Sequence, residues 1–168
     1  MRRMLRFVVA DQRGMSLAEI LVACVIIAIG LVGLLSAVPT ASYGIQEGQQ
    51  LSTATFLANQ RLEQARNAQW VATPAADTLG VSASASVPPT SGGATTFPDE
   101  SPMAAPYGGY ARTVRIIDCG VGAGCGGIVD SGLRQVTVAV SYRPSTATGV
   151  AAVGTTKSAL VSMLMAQR

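Results

Sequence analysis

The hydrophobic pattern divides this chain into an apolar run, a stretch of helical periodicity, a long polar segment and several alternating stretches. The apolar run, residues 20–38, contains nineteen residues and no charged side chain. As a helix it would extend about 28 Å at roughly 1.5 Å per residue, close to the thickness of the hydrocarbon core of a bilayer. The pattern therefore predicts a transmembrane helix, which we place at residues 15–38.

The next stretch carries apolar residues at spacings of three and four, which is typical of an amphipathic helix. The stripe consists of Leu51, Ala54, Ala58, Leu62 and Ala65. We therefore predict an exterior amphipathic helix at residues 39–72. Pro39 has no amide hydrogen, so we expect it to kink or interrupt the helix near its start.

Residues 73–109 have a different composition, rich in Ser, Thr, Ala and Gly. They also contain six prolines, which are Pro74, Pro88, Pro89, Pro98, Pro102 and Pro106. Such a composition predicts a long loop that buries no core. We favour a solvated connector over a partner surface for this segment.

Strand signals follow in the region 110–168. Residues 110–118, 133–142 and 158–165 are rich in Val, Ile, Leu and Met, and the second of them alternates strictly. Gly and Pro residues separate the three stretches. Three or four antiparallel strands packed on the long helix would make a small α+β domain.

The charge of the chain is concentrated before the apolar run. Residues 1–14 carry four arginines and one aspartate, which accounts for the whole net charge of +3, and the remaining charges balance. No cationic surface is visible beyond residue 14, so no nucleic-acid partner is indicated. By the positive-inside rule residues 1–14 stay in the cytoplasm. In a bacterium the chain would thus be a single-pass inner-membrane protein with a periplasmic domain.

The sequence offers no set of residues for catalysis. It contains no histidine, so neither a Ser-His-Asp triad nor an imidazole ligand set for zinc can be built. The acidic residues beyond the apolar run are scattered rather than paired. We therefore predict a protein that is not an enzyme, with no catalytic residue, no metal site and no cofactor.

Two of the three cysteines lie close together in the sequence. Cys119 and Cys125 enclose the sequence Gly-Val-Gly-Ala-Gly, which is flexible enough to let two thiols meet. In an oxidising exterior compartment we favour a disulfide over free thiols.

One carboxylate, that of Glu19, lies at the edge of the apolar run. A charge next to hydrocarbon is costly and is usually retained for a partner. The alternative is that Glu19 lies among lipid headgroups at a helix start, where the helix macrodipole favours an acid. The residues alone leave both interpretations open.

The residues around Glu19 resemble a known signature. The stretch from Gly14 to Ala23, Gly-Met-Ser-Leu-Ala-Glu-Ile-Leu-Val-Ala, resembles the prepilin signature of type IV pilins and type II secretion pseudopilins. The resemblance implies that prepilin peptidase removes residues 1–14 by cutting between Gly14 and Met15, and that Met15 is then N-methylated. It also implies that Glu19 docks against the amino group of a neighbouring subunit. Pilins commonly have Phe where this chain has Met15, a departure that bears on the efficiency of processing.

A second resemblance lies in the predicted exterior helix. Residues 54–66 are similar to the Ala-x-x-Leu-Ala-x-x-x-Leu-Glu pattern of V-type minor pilins and I-type minor pseudopilins. The resemblance implies a pilin-like fold, a long N-terminal helix packed on a small sheet. It also implies partners, namely prepilin peptidase, major and other minor pilins, the inner-membrane assembly platform and membrane lipid.

The predicted function is therefore that of a minor structural subunit of a type IV pilus-like filament, located in the inner membrane and then in the pilus or pseudopilus. A minor pseudopilin of a type II secretion system is the alternative within the family, and a competence pseudopilin is a weaker one. Outside the family, the alternative is an uncleaved single-pass membrane protein whose exterior domain binds a ligand.

Overall fold

The fold is α+β, as the sequence predicts. A computed structural model of the chain describes residues 16–71, 76–144 and 155–167. The elements are α1 (Leu17–Arg66), β1 (Thr90–Ser91), β2 (Ala94–Thr95), β3 (Tyr110–Asp118), β4 (Leu133–Tyr142) and β5 (Lys157–Ala166). They belong to two compact units, which divide between Tyr43 and Gly44.

The first unit contains the apolar part of α1. An 18-residue window of this helix has a mean hydropathy of 2.9, and none of the window is buried. Among the residues described in 16–39 and 41–43, only Ala23 is partly buried, and the others are exposed. By length and composition, α1 can cross a membrane.

The helix continues through Pro39, so the interruption expected there does not occur. Proline cannot donate to the carbonyl four residues earlier, and one backbone hydrogen bond is lost. Membrane helices tolerate proline because hydroxyl side chains and small backbone adjustments satisfy the freed groups.

The C-terminal end of α1 lies at Arg66, so the helix predicted to run to residue 72 is too long. The amide of Asn67 still donates to the Glu63 carbonyl, but the carbonyl of Gln69 accepts from Thr78 and Leu79. Trp70, which follows, is buried. Burial of this indole, together with the pairing of Gln69, favours a turn over another helical turn.

In the second unit, the predicted apolar stripe of α1 packs against the sheet. Four predicted members are buried, namely Ala54, Ala58, Leu62 and Ala65, together with Leu57, which was not predicted. Leu51, which the spacing places in the stripe, is 46 % exposed and lies outside the core. Leu57 takes the central position instead, at 1 % exposed.

The three-stranded sheet has the order β3-β4-β5, with both pairs antiparallel. Val114, Val138 and Val161 lie side by side across the three strands. Burial alternates along β3 and β4, since successive side chains of a strand point to opposite faces. The inner face completes the core with α1.

The segment before the sheet corrects one prediction, because part of it belongs to the core. Leu79, Phe97 and Met103 are each at most 7 % exposed, and β1 and β2 form a short antiparallel hairpin. Gly80 has a φ of +71°, and a Cβ there would lie 2.8 Å from the Thr90 carbonyl oxygen. The expectation that this composition buries no core was therefore wrong.

A cluster of charged groups joins α1, the segment before β3, and β3 itself. Glu100 binds Arg112 at 2.7 Å and lies 3.7 Å from Arg61. Arg112 also donates to the Leu57 carbonyl of α1 at 3.2 Å. Burial, and then the neighbouring Arg112 cation, lowers the pKa of Arg61. The cluster fixes this part of the helix against β3.

A disulfide closes the loop after β3. It joins Cys119 and Cys125, whose Cα atoms are 4.9 Å apart. Gly124, inside the loop, has a φ of +70°, and a Cβ there would lie 2.0 Å from the Ile128 carbonyl oxygen. Gly124 is therefore required for the tight turn, in addition to the flexibility that the glycines give this loop.

The exposed pair of Asp99 and Arg115 predicts a pH dependence of stability. The bidentate hydrogen bonds from Arg115, at 2.6 and 2.9 Å, hold the pKa of Asp99 below its ordinary value of 3.8. A lowered pKa in the folded state contributes stability above the ordinary value, and the contribution is lost as the pH falls through the lowered one. The wild type should therefore be more stable than Asp99→Asn at neutral pH, and the difference should disappear in acid. Urea midpoints of both proteins test this, and an unchanged difference at about pH 2 would contradict it.

Candidate functional site

The start of α1 is held by a reciprocal pair of hydrogen bonds. Ser16 directly precedes the helix, and its Oγ accepts from the amide of Glu19 at 3.2 Å. In return, the amide of Ser16 donates to Oε2 of Glu19 at 3.4 Å. A serine and a glutamate three residues apart that exchange these bonds form a capping box. It gives the Ser16 amide an acceptor, and it gives the Glu19 amide a second acceptor beside the Ser16 carbonyl at 2.9 Å.

Glu19 is also the only charged residue in positions 16–43. It lies on one side of the helix with residues three, four and seven positions further on, which are Val22, Ala23 and Ile26. The amino end of a helix carries a partial positive charge, which favours this carboxylate. The apolar surroundings make the same charge costly unless a cationic group pairs with it once water is excluded.

The Glu19 carboxylate can accept further hydrogen bonds. An ionised carboxylate has about four lone-pair sites. The Ser16 amide occupies one of them through a bond of 3.4 Å, which is longer than the usual range for N–H···O bonds. A charged amine would form a shorter and stronger bond with the same oxygens. The geometry therefore suits the binding of a cation at the amino end of the helix.

The other residues of the predicted processing site, Gly14 and Met15, lie outside the described residues. Cleavage between them, and methylation of Met15, remain predictions. Glu19 is described, and its docking to a neighbouring subunit remains a prediction as well.

Ser16 was not among the functional residues predicted from the sequence. The signal was present, because Ser-x-x-Glu directly before an apolar run is the sequence signature of a capping box. Both interpretations of Glu19, headgroup location and pairing, overlooked this third role. The capping box explains why an acid is stable at the helix start before any partner binds.

Comparison with known proteins identifies a motif in the N-terminal part of the chain. Residues 10–35 match the family model described as the prokaryotic N-terminal methylation motif. This motif supports membership of the type IV pilin and pseudopilin family. The match contains the predicted cleavage position, Glu19 and most of the apolar run. A comparison with curated proteins found no match, and a comparison with solved structures found none either.

The pilin-type motif points to a structural subunit rather than an enzyme. It also implies processing by prepilin peptidase and assembly with other pilins. The motif and the apolar helix together indicate that the chain is anchored in a membrane. Within the part of the chain that the structure describes, no group of three His, Cys, Asp or Glu side chains could hold a metal ion.

Proposed function

We propose that this chain is a minor pilin, made as a membrane-inserted precursor and assembled into a type IV pilus-like filament through α1. The observation that carries the proposal is the motif match at residues 10–35, which coincides with a helix able to cross a membrane. The orientation follows from the arginines of residues 1–14, which keep that end in the cytoplasm. The second unit then lies in the periplasm.

Processing is the first step of the proposed mechanism. Prepilin peptidase cuts between Gly14 and Met15, and the new amino group of Met15 is methylated. Gly14 has no side chain, which suits an extended backbone in a protease cleft. Cleavage removes the whole net charge of +3 that residues 1–14 hold, and it creates a cationic amine close to the apolar run.

Docking is the second step. The Met15 amine of one subunit binds the Glu19 carboxylate of its neighbour as the apolar helices pack together. In surroundings of low dielectric constant, a paired charge is much less costly than an unpaired one, so the pair sets the register of adjacent helices. The long Ser16–Glu19 bond is replaced by a charge-assisted one.

The choice of a minor subunit rests on residues 54–66, whose pattern is similar to that of V-type minor pilins. I-type minor pseudopilins of type II secretion share the pattern, and their filament is the alternative. The proposed partners are the peptidase, the major and other minor pilins, the inner-membrane assembly platform and membrane lipid. Neighbouring genes separate the two systems, because a retraction ATPase accompanies pili and a secretin with a secretion ATPase accompanies export.

The mass of the mature protein tests the processing step. In cells with active prepilin peptidase, we expect loss of residues 1–14 and one added methyl group on Met15. Gly14→Ala, which adds only one methyl group to the side chain, should still be cleaved. Gly14→Glu should remain at precursor mass because a large charged side chain does not fit where glycine is required. An intact N-terminus in the wild type would favour the uncleaved single-pass membrane protein instead.

A further inference from the structure

A pocket of about 370 Å³ lies at one end of the three-stranded sheet, within the second unit. Its walls come from the segment before β3, the start of β3, the end of β4 and the residue before β5. Tyr110 and Tyr142, which are cross-strand partners, line it with ring centres 5.8 Å apart. Tyr142 is 4 % exposed, so packing in the core fixes this side of the pocket. The volume lies within the range of about 300 to 1,000 Å³ that is typical of ligand sites.

Arg143 gives this pocket a positive charge that no described carboxylate neutralises. It lines the pocket and is exposed. Every other lysine or arginine side chain that the structure describes lies in an ion pair. The two carboxylates next to the pocket are both engaged, since Glu100 binds Arg112 and Glu47 binds Lys157. The guanidinium of Arg143 is therefore available to an anion from outside the chain.

Three hydroxyl groups line the pocket beside Arg143, those of Ser101, Ser141 and Thr156. The Ser141 hydroxyl has only a long contact, of 3.5 Å, with the Ala111 carbonyl. A hydroxyl can both donate and accept, and a guanidinium donates to phosphate through two parallel hydrogen bonds. The pocket therefore suits a phosphate ester that has one negative charge and carries hydroxyl groups of its own.

The connection of the chain keeps this end of the sheet near the membrane. Lys157, which directly follows Thr156 and lies opposite Tyr142 in register, binds Glu47 of α1. Glu47 comes nine residues after Val38, the last residue of the apolar run. Nine residues span at most about 32 Å even when fully extended. The pocket is therefore within reach of the headgroups of a membrane that holds the apolar run.

We propose that this pocket binds the headgroup of an anionic phospholipid of the membrane that anchors the chain. Arg143 binds the phosphate, and the hydroxyls of the pocket bind the glycerol hydroxyls of a headgroup such as that of phosphatidylglycerol. A zwitterionic headgroup binds less well, because it brings a second cation close to Arg143. Tyrosine is enriched at the level of the headgroups, which suits the half-buried Tyr110. The inference rests on membrane anchoring and not on the filament role, which the mass of the mature protein tests separately.

Fluorescence quenching in nanodiscs tests the contact with the full-length chain. The background is Cys24→Ala, because Cys24 is a free and exposed thiol. A fluorophore is attached to Ala104→Cys, an exposed position beside the pocket, and some lipids carry a nitroxide on the headgroup. Quenching should be stronger when phosphatidylglycerol is mixed with phosphatidylcholine than in phosphatidylcholine alone. Val129→Cys, 64 % exposed at the opposite end of the sheet, is the control position and should not show this difference.

Two charge variants identify the residue that binds the lipid. Arg143→Gln should lower the ratio of lipid-bound to free pockets, taken from the quenching at position 104, by about fivefold, the effect of one arginine near an anionic surface. Arg66→Gln changes the net charge by the same amount, but it removes a cation from the exposed pair with Glu63 and should leave the quenching unchanged. Arg143→Lys should restore part of the quenching, because lysine keeps the charge without the bidentate geometry.

A variant that fills the pocket separates binding in it from general attraction to the membrane. Gly109 lines the pocket, and a Cβ at this position would meet no atom within 4 Å. Gly109→Gln should therefore fold normally and occupy part of the pocket without a change of charge. The additional quenching caused by phosphatidylglycerol should then be reduced although Arg143 is present. Circular dichroism checks that the variants remain folded.

Two results would overturn the proposal. Quenching at position 104 that is the same with and without phosphatidylglycerol, or the same in wild type and Arg143→Gln, would show that the pocket binds no anionic headgroup. The second result concerns soluble glycerol 3-phosphate, added to nanodiscs of phosphatidylcholine without nitroxide. A saturable change in emission that Arg143→Gln removes, together with no added quenching by phosphatidylglycerol, would assign the pocket to a free phosphate ester instead of a lipid.

Discussion

Replacing Glu19 by valine is expected to leave the protein in the membrane and to remove it from filaments. Valine joins Leu17 and Ala18 to the apolar run, which becomes three residues longer, so membrane insertion is retained. In the proposed docking, the Met15 amine of the neighbouring subunit then loses its carboxylate in surroundings of low dielectric constant. Removing one member of a buried pair costs roughly 3 to 5 kcal/mol, and each 1.4 kcal/mol is about tenfold in an equilibrium. The fraction of the protein found in sheared filaments should therefore fall more than tenfold, as measured by quantitative immunoblotting.

The capping box supplies the controls for this prediction. Glu19→Gln keeps the cap, because glutamine also serves at this position, but it removes the charge. Ser16→Ala keeps the charge and removes the hydroxyl that caps the helix, at a cost of about 0.5 to 2 kcal/mol. Glu19→Gln should fail to assemble as Glu19→Val does, and Ser16→Ala should assemble. The opposite result would assign Glu19 to helix capping alone.

The sequence predicted the elements that have a regular period. The strands β3 and β4 lie where the alternation places them, and β5 extends one residue further at each end than predicted. An alternating pattern is informative because a strand buries every second side chain. The helical stripe was found for the same reason, with an error at Leu51, which the spacing alone could not place.

The sequence could not reveal the core residues of the segment before the sheet. Leu79, Phe97 and Met103 are isolated apolar residues among Pro, Ser and Gly, and they share no period. Their burial depends on turns such as the one at Gly80, which only the fold specifies. The end of α1 was missed for a similar reason, since Trp70 leaves the helix to enter the core.

At the candidate site, Glu19 was predicted from the sequence, but its role in helix capping was not. The position of Glu19 relative to Gly14 identifies the motif, because the spacing is fixed in the family signature. The capping role required a second short pattern that begins at Ser16, and it was overlooked. The position of β5 at one end of the sheet could not be predicted from alternation, since the period of a strand does not reveal which strand lies at the edge of a sheet.

The second large effect is expected at a buried ion pair that joins the segment after α1 to β4. Oδ2 of Asp77 binds Arg134 at 2.8 Å, and both residues are at most 9 % exposed. Oδ1 of Asp77 accepts from the amides of Leu79 and Gly80, at 3.1 and 3.2 Å. The Arg134 guanidinium also lies over the ring of Trp70, 4.6 Å from its centre. Asp77 therefore neutralises a buried cation and holds a turn of the core.

We expect Asp77→Asn to reduce the free energy of unfolding by about 3 to 5 kcal/mol, because it leaves the Arg134 cation buried without a counter-charge. The amide oxygen of asparagine can still accept from Leu79 and Gly80, so the loss reports the charge rather than the turn. Trp70 is the only tryptophan of the chain, so its fluorescence during urea unfolding measures the change at the pair itself. A loss of 3 to 5 kcal/mol is a large part of the free energy of unfolding of a domain, which is typically about 5 to 15 kcal/mol.

Two further variants make the measurement decisive. Asp99→Asn breaks a more exposed pair and should cost at most about 1 kcal/mol at neutral pH. The double variant Asp77→Asn with Arg134→Met removes the cation as well, and it should be less destabilised than the sum of the single variants. A loss at Asp77 no larger than the loss at Asp99 would show that water reaches the pair. The burial of Asp77 and Arg134 would then contribute little to the stability of the second unit, and Arg134 would act mainly through its contact with Trp70.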